Sequence, residues 1–155
     1  MKLAGGAAVT AALTAQAAKP KRGVQNGRIN QSVVHWCWGE RGWKIEDTAK
    51  AAADLGCKSV ELVSPDDWPV LKKHGLTCAI APNGVEGPPF MRGFNNPDYH
   101  DMVIKATKET IDACAKFGVK NVIAFNGYKW KKAEDPQSGE ISAEQGAKNW
   151  VKGLK

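Results

Sequence analysis

The sequence predicts an α/β fold: a parallel (βα)₄ array that is the N-terminal half of a TIM-type, eight-unit barrel, truncated C-terminally. Three observations predict it. Four short apolar runs recur along the chain, at Ser32–Trp38, Ser59–Val63, Leu76–Ala81 and Asn121–Phe125. A helical pattern follows each run, and near-continuous apolar strands alternating with amphipathic helices mark a buried parallel sheet. The chain has 155 residues, whereas a complete barrel takes about 250.

The N-terminus comes first and differs from the rest. Residues 1–18 hold one lysine and no acid, with a soft apolar stretch from Leu3 to Ala15 and an A-x-A site at Ala15-Gln16-Ala17. These are features of a secretory signal, so an exported or periplasmic location is expected, with a cytoplasmic one as the alternative. The stretch is too short and too rich in Gly and Ala for a stable membrane span. Lys19–Gly23 reads as linker. Residues 1–29 are therefore a signal-like segment and linker, and residues 30–155 are the folded half-barrel.

The first helix spans Ile45 to Leu55, with an apolar stripe of Ile45, Ala49, Ala52 and Leu55 and acids Glu46 and Asp47 in its first turn. Gly56 ends it. A short second helix covers Asp66 to His74, acidic early and basic late at Lys72 and Lys73. The third starts at an Asn96 cap followed by Pro97 and Asp98. Its expected buried face is Met102, Ala106, Thr110, Ala113, Cys114 and Phe117, and Gly118 closes it. The fourth opens on the capping box Ser142-Ala143-Glu144-Gln145 and carries Ala147, Trp150, Val151 and Leu154 as its apolar stripe up to Lys155. That stripe is still running where the sequence stops, which is why truncation is expected. A half-barrel leaves its first and last strands as open edges, so self-association is expected through them.

Composition narrows the function classes. The net charge is +6, but the basic residues are scattered, and Glu134 and Asp135 follow the densest cluster at Lys129–Lys132. A nucleic-acid footprint needs a stripe on one face, so no nucleic-acid partner is expected. The cysteines Cys37, Cys57, Cys78 and Cys114 lack zinc-ligand spacing, and are read as buried free thiols. There is no P-loop, G-x-G-x-x-G, G-x-S-x-G or H-E-x-x-H.

Two loops, Pro82–Asn96 and Asn126–Ile141, exceed the usual βα length. Both follow strands and so lie on the face where such folds bind ligands. The candidate substrate-binding residues are His35, Glu61, Asn83, Arg92 and Asn126. Glu61 is a carboxylate inside an apolar strand, costly unless paired or facing a ligand. His35 is placed to orient a hydroxyl or shuttle a proton, or else is a neutral core histidine beside Trp36. Asn83 and Asn126 are donors and acceptors for hydroxyls, or turn residues before Gly84 and Gly127. Arg92 suits a substrate carboxylate, or is a solvated loop arginine. His74 and His100 read as surface residues. No catalytic residue or metal ligand is assigned.

The segments Gly56-Cys57-Lys58-Ser59-Val60-Glu61-Leu62 with Pro65, His74-Gly75-Leu76-Thr77, Pro82-Asn83-Gly84 and Phe117-Gly118-Val119-Lys120-Asn121-Val122 together resemble the hydroxypyruvate isomerase family. That family lies within the wider xylose-isomerase-like barrels of sugar isomerases and epimerases. The resemblance covers roughly Asn30 to Lys155. It implies a metal-assisted isomerase of a small sugar or hydroxy-keto acid, working through an enediol, with Mg or Mn in the full-length family. The family's catalytic glutamates and metal ligands come from later strands, so the resemblance leaves this chain as a fragment that is inactive alone and binds no metal. What it carries over is a substrate-facing rim: His35, Glu61, Asn83 and Asn126. The alternative is a non-catalytic half-barrel that binds a sugar or assembles with another chain. A Rossmann-like nucleotide binder ranks third, because the glycine fingerprint is missing.

Overall fold

Only the first three residues of the first apolar run are extended. In the computed structural model, which describes residues 23–155, β1 is Ser32–Val34 and runs parallel to β2, Ser59–Glu61, with Ser32 opposite Ser59 and Val34 opposite Glu61. The signal-like segment read at residues 1–18 lies outside the described residues. The rest of the first run turns helical. His35 already has α-helical backbone angles, and Trp36–Gly39 forms one turn, α1. α2 follows at Ile45–Leu55, with the bounds its periodicity predicts.

The half-barrel expected from the sequence is not formed. The described residues make two separate two-stranded sheets, one parallel and one antiparallel, together with five α-helices. Two physical causes stand out. First, β2 stops after Glu61 because Leu62 adopts a left-handed backbone, φ +57°. This conformation costs a residue with a Cβ about 1–2 kcal/mol and takes the chain out of the extended path. The third and fourth apolar runs then meet their neighbours at single parallel bridges, Ser59 with Thr77 and Ala81 with Val122, and not along ladders. Between those bridges the chain bends, and the Cys78 thiol donates to the Ile80 carbonyl at 3.1 Å. Second, the long loop after the fourth run contains an antiparallel hairpin. Its strands are β3, Trp130–Lys132, and β4, Asp135–Glu140, with Trp130 opposite Glu140 and Lys132 opposite Asp135.

Two of the remaining helices begin with short 3₁₀ turns set by proline. Pro65–Asp67 leads into α3, Trp68–Lys73, and Pro97–Tyr99 leads into α4, His100–Phe117. The Asn96 side chain accepts from the Asp98 amide at 3.0 Å, as a cap should. The buried line of α4 is His100, Val103, Thr110 and Cys114, whereas Met102 and Phe117 are exposed. His100, read as a surface residue, is buried, with its Nε2 donating to the Phe94 carbonyl at 2.9 Å. α5 spans Ala143–Gly153, with the Ser142 hydroxyl accepting from the Gln145 amide. It buries Gly146 and Asn149 and leaves Val151 and Leu154 exposed. Among the described residues no helix is long and apolar enough to cross a membrane.

Two hydrophobic clusters result. The larger joins α2, β2 and α3 through Ala49, Ala52, Val60 and Leu71 and reaches Cys114 of α4. Burial pushes the Cys78 and Cys114 thiols up from their ordinary range, in keeping with inert core cysteines; Cys37, by contrast, is exposed. Trp68 anchors this cluster. It is 3% exposed, its indole donates to the Val63 carbonyl at 2.9 Å, and its ring meets Phe117 edge-on. The smaller cluster gathers Val85, Phe94 and Val103 under Trp150.

Replacing Trp68 tests the anchor. Trp68→Phe keeps an aromatic ring but strands the Val63 carbonyl, so a loss of about 1–3 kcal/mol is expected from chemical denaturation. Trp68→Ala adds a cavity and is expected to cost about 3–5 kcal/mol.

A second test concerns Glu46, which links α2 to the end of α3 by accepting from Lys73 at 2.9 Å and His74 at 2.8 Å. The hydrogen bond from Lys73, then that from His74, holds its carboxyl below the ordinary glutamate value. A depressed carboxyl stabilises the fold above its unfolded pKa, and that gain is lost as pH falls through the folded one. Glu46→Gln should therefore lower Tm at neutral pH, and the difference should close in acid below the usual glutamate range.

Candidate functional site

Asn95 organises the part of the molecule where a ligand can sit. Its backbone N–H donates to the Asn126 carbonyl at 2.9 Å. Its side-chain Nδ2 donates to the Tyr128 carbonyl at 2.7 Å. Its own carbonyl accepts from Asn149 Nδ2 of α5, also at 2.7 Å. Segment 91–95 thus lies along 125–128, with Phe94 donating to Phe125 and Tyr128 to Met91. The approach is so close that a Cβ on Gly93 would fall 2.3 Å from the Phe125 carbonyl oxygen. Only glycine permits it.

Above this seam is a cleft of about 610 Å³. Its walls are the Asn126–Lys129 loop, the end of β4 at Glu140, and the α5 face carrying Gly146 and Trp150. Lys129 and Glu140 form an ion pair between two of these walls. Gly146 of α5 faces Asn95, where a Cβ would sit in ordinary contact, 3.5 Å from the Asn95 Cβ. The Trp150 ring packs on Phe94 with centroids 5.2 Å apart and planes tilted by 54°.

Two polar atoms on residues of this wall have no hydrogen-bond partner: Asn95 Oδ1 and Trp150 Nε1. Asn95 is 9% exposed, and leaving a buried acceptor unpaired costs about 1–3 kcal/mol. The carboxamide cannot relieve this by flipping. A flip would turn Oδ1 onto the Tyr128 carbonyl, acceptor against acceptor.

The five residues singled out in the sequence do not converge. Asn126 lines the cleft, and its carbonyl holds Asn95. His35 caps α1 and shares a 2.8 Å hydrogen bond with the Thr48 hydroxyl. Glu61 ends β2, half-buried, with no hydrogen bond or ion pair to its carboxylate among the described residues. Asn83 is fully buried. Its Oδ1 accepts from Val85 N at 3.3 Å in a local turn and its Nδ2 is unpartnered. Arg92 is paired with Glu134.

Asn95, Lys129, Glu140 and Trp150 were missed. Asn95 was hidden by its neighbour Asn96, which explains the helix cap by itself. Trp150 fitted an apolar helix stripe. The usable signal was an unassigned asparagine beside a glycine-flanked aromatic, Gly93-Phe94-Asn95. A divalent metal of the kind the resemblance implies needs several converging carboxylate, imidazole or water ligands. Among the described residues no three His, Cys, Asp or Glu side chains gather in one place, so these residues do not fit such an ion.

Compared with protein-family models, with curated proteins and with solved structures, the chain matches none.

Substitution at Asn95 separates its two hydrogen-bonding ends. Asn95→Ala loses the bond to Tyr128. Asn95→Asp places a carboxylate against that same carbonyl and should be the less stable of the two at pH 7. Burial and the facing carbonyl raise the new carboxyl above its unfolded value. Its penalty should therefore shrink as pH falls and the protonated acid donates to Tyr128. Thermal melts of both variants between pH 7 and pH 4 check this; a gap that does not narrow would contradict the assigned orientation.

Proposed function

We propose that this chain is the substrate-holding part of an isomerase or epimerase acting on a small sugar or hydroxy-keto acid, and that the substrate lies in the cleft between the Asn126–Lys129 loop and α5. The observation that carries the reading is the cleft itself, about 610 Å³ and walled by Asn126, Lys129, Glu140 and Trp150. A wall of mixed polar and aromatic side chains of this kind suits a small ligand that carries hydroxyl groups. The neighbouring Asn126 fits the same ligand chemistry, and the resemblance to hydroxypyruvate isomerases favours it. The cleft volume also lies within the range of about 300 to 1,000 Å³ usual for small-molecule sites.

Enediol chemistry uses an acid–base pair to move a proton between adjacent carbons. The carboxylate lining this cleft is Glu140, already paired with Lys129. The chain on its own therefore holds substrate without turning it over. No step is assigned to a metal, because the described residues do not fit one. That single, already paired carboxylate also favours the second reading, a binding protein for the same ligands with no catalytic role.

The test uses the isotope-labelled chain with D-xylose and with hydroxypyruvate in turn. The Asn95 side-chain amide and the Trp150 indole resonances should move with at least one of them. In D₂O the chain alone should not exchange carbon-bound hydrogen of either compound. Exchange would assign catalysis to this chain, and resonances unmoved by both compounds would remove the cleft from the proposal.

A further inference from the structure

We infer that the groove between β1 and α2 is the centre of a surface that docks on an anionic lipid bilayer, without spanning it. The inference is independent of the cleft and of the ligand proposed for it. It starts from the distribution of tryptophan: three of the six lie within residues 36–43. The chain there coils tightly, with Trp38 N–H donating to the His35 carbonyl and Trp43 N–H to the Trp38 carbonyl. The Trp38 and Trp43 rings end up 6.3 Å apart. With Val33 of β1 and Ala51 and Leu55 of α2, they line an apolar groove of about 100 Å³. Trp43, just before α2, and Leu55, its last residue, are both exposed. Ile29 and Trp36, in the segments on either side of β1, are more than half exposed. Large apolar side chains left in water around a groove mark an interaction surface.

Charge decides the partner. Basic residues are scattered over most of the chain, but residues 1–39 hold Lys2, Lys19, Lys21, Arg22 and Arg28 and no acid. This basic stretch enters the described structure beside the groove. The Val24 N–H donates to the Leu55 carbonyl at 3.1 Å, and a Cβ on Gly23 would lie 3.5 Å from Leu55 Cδ2. The Lys58 N–H donates to the Gln31 carbonyl at 2.8 Å, so Lys58 stands next to the segment that carries Arg28 and Ile29. Arg41 and Lys44 bracket Trp43, and both are exposed. Two acids in this part of the fold are already engaged: Asp54 pairs with Lys50, and Asp47 accepts from the Lys44 amide.

An anionic bilayer answers both features at once. Its headgroups attract clustered Lys and Arg, and its interface takes up exposed apolar side chains. Indoles suit that boundary, because the ring body is apolar and the N–H stays wet. Lys2 aside, these cations follow the Ala15-Gln16-Ala17 site, so removal of the signal-like segment would leave the surface intact.

Sedimentation of the full chain with vesicles tests this, using phosphatidylcholine alone and phosphatidylcholine with about one-third phosphatidylglycerol. Binding to the anionic vesicles should be at least about tenfold tighter, and should weaken as salt rises from about 50 to 300 mM. Trp36→Ser and Trp43→Ser should each weaken it roughly three- to tenfold while Tm stays within a few degrees. Lys21→Glu, Arg22→Glu and Arg28→Glu together should abolish the preference for anionic lipid. Lys105→Glu, Lys108→Glu and Lys116→Glu change the net charge equally on exposed positions of α4 and should leave it intact. Equal loss in the two triple variants would overturn the inference, since net charge alone would then account for binding. Equal binding to both kinds of vesicle, or unchanged binding by folded Trp36→Ser and Trp43→Ser, would overturn it as well. So would tighter binding to single-stranded oligothymidylate than to anionic vesicles, which would assign the surface to nucleic acid. Self-association lost in Trp43→Ser, with no vesicle binding, would overturn it in favour of a second copy of the chain.

Discussion

The arrangement around the cleft depends on one asparagine. Asn95 ties three pieces of chain that are far apart in sequence: its own segment, the 126–128 loop and helix α5. Each tie uses a different group of the residue, so none competes with another. Two of them reach backbone carbonyls, which cannot rotate away as side chains can. This is how a region with little regular secondary structure keeps a defined wall.

Small residues let that knot close. Gly93 lies against the 125–126 backbone, and a Cβ on Gly127 would fall 2.5 Å from Asn95 Oδ1. At the far end of α5 a Cβ on Gly153 would fall 2.7 Å from the Phe94 ring. α5 therefore packs through Trp150, Asn149 and the close approach at Gly153, while Val151 and Leu154 of its predicted stripe stay exposed. Hydrophobic periodicity reads faces by side-chain bulk, and it is blind to a helix that approaches its neighbour through missing side chains.

The same reasoning accounts for what could be read in advance. α2 was legible to the residue because acids, stripe and terminal glycine all agree. The Asn96 and Ser142 caps were legible because capping is local chemistry. The strands were not. A run such as Leu76–Ala81 carries the apolarity of a buried strand, but whether it joins a ladder depends on the left-handed turn at Leu62 and the bend at Cys78–Ile80, and neither leaves a mark in hydropathy. The hairpin at 130–140 was missed for the opposite reason. Trp130-Lys131-Lys132 and Asp135–Glu140 are polar, with Pro136 and Gly139, and their pairing is held by backbone and by Ser138. Of the candidate site, Asn126 was legible as a polar residue after an apolar run. Asn95 and Trp150 were not, because each already had a sufficient structural explanation.

The two hydrophobic clusters share a single element. α4 contributes Cys114 to the larger and Val103 to the smaller, and the hairpin and α5 lean on the smaller alone. Such a division makes two units of unequal stability, so the cleft-bearing end can open while the α2–β2–α3 end stays folded. A ligand bound between the loop and α5 would then act as a clasp on that weaker unit. Its effect would be largest on the slow exchange of amide hydrogens in α5 and smallest on those in α2.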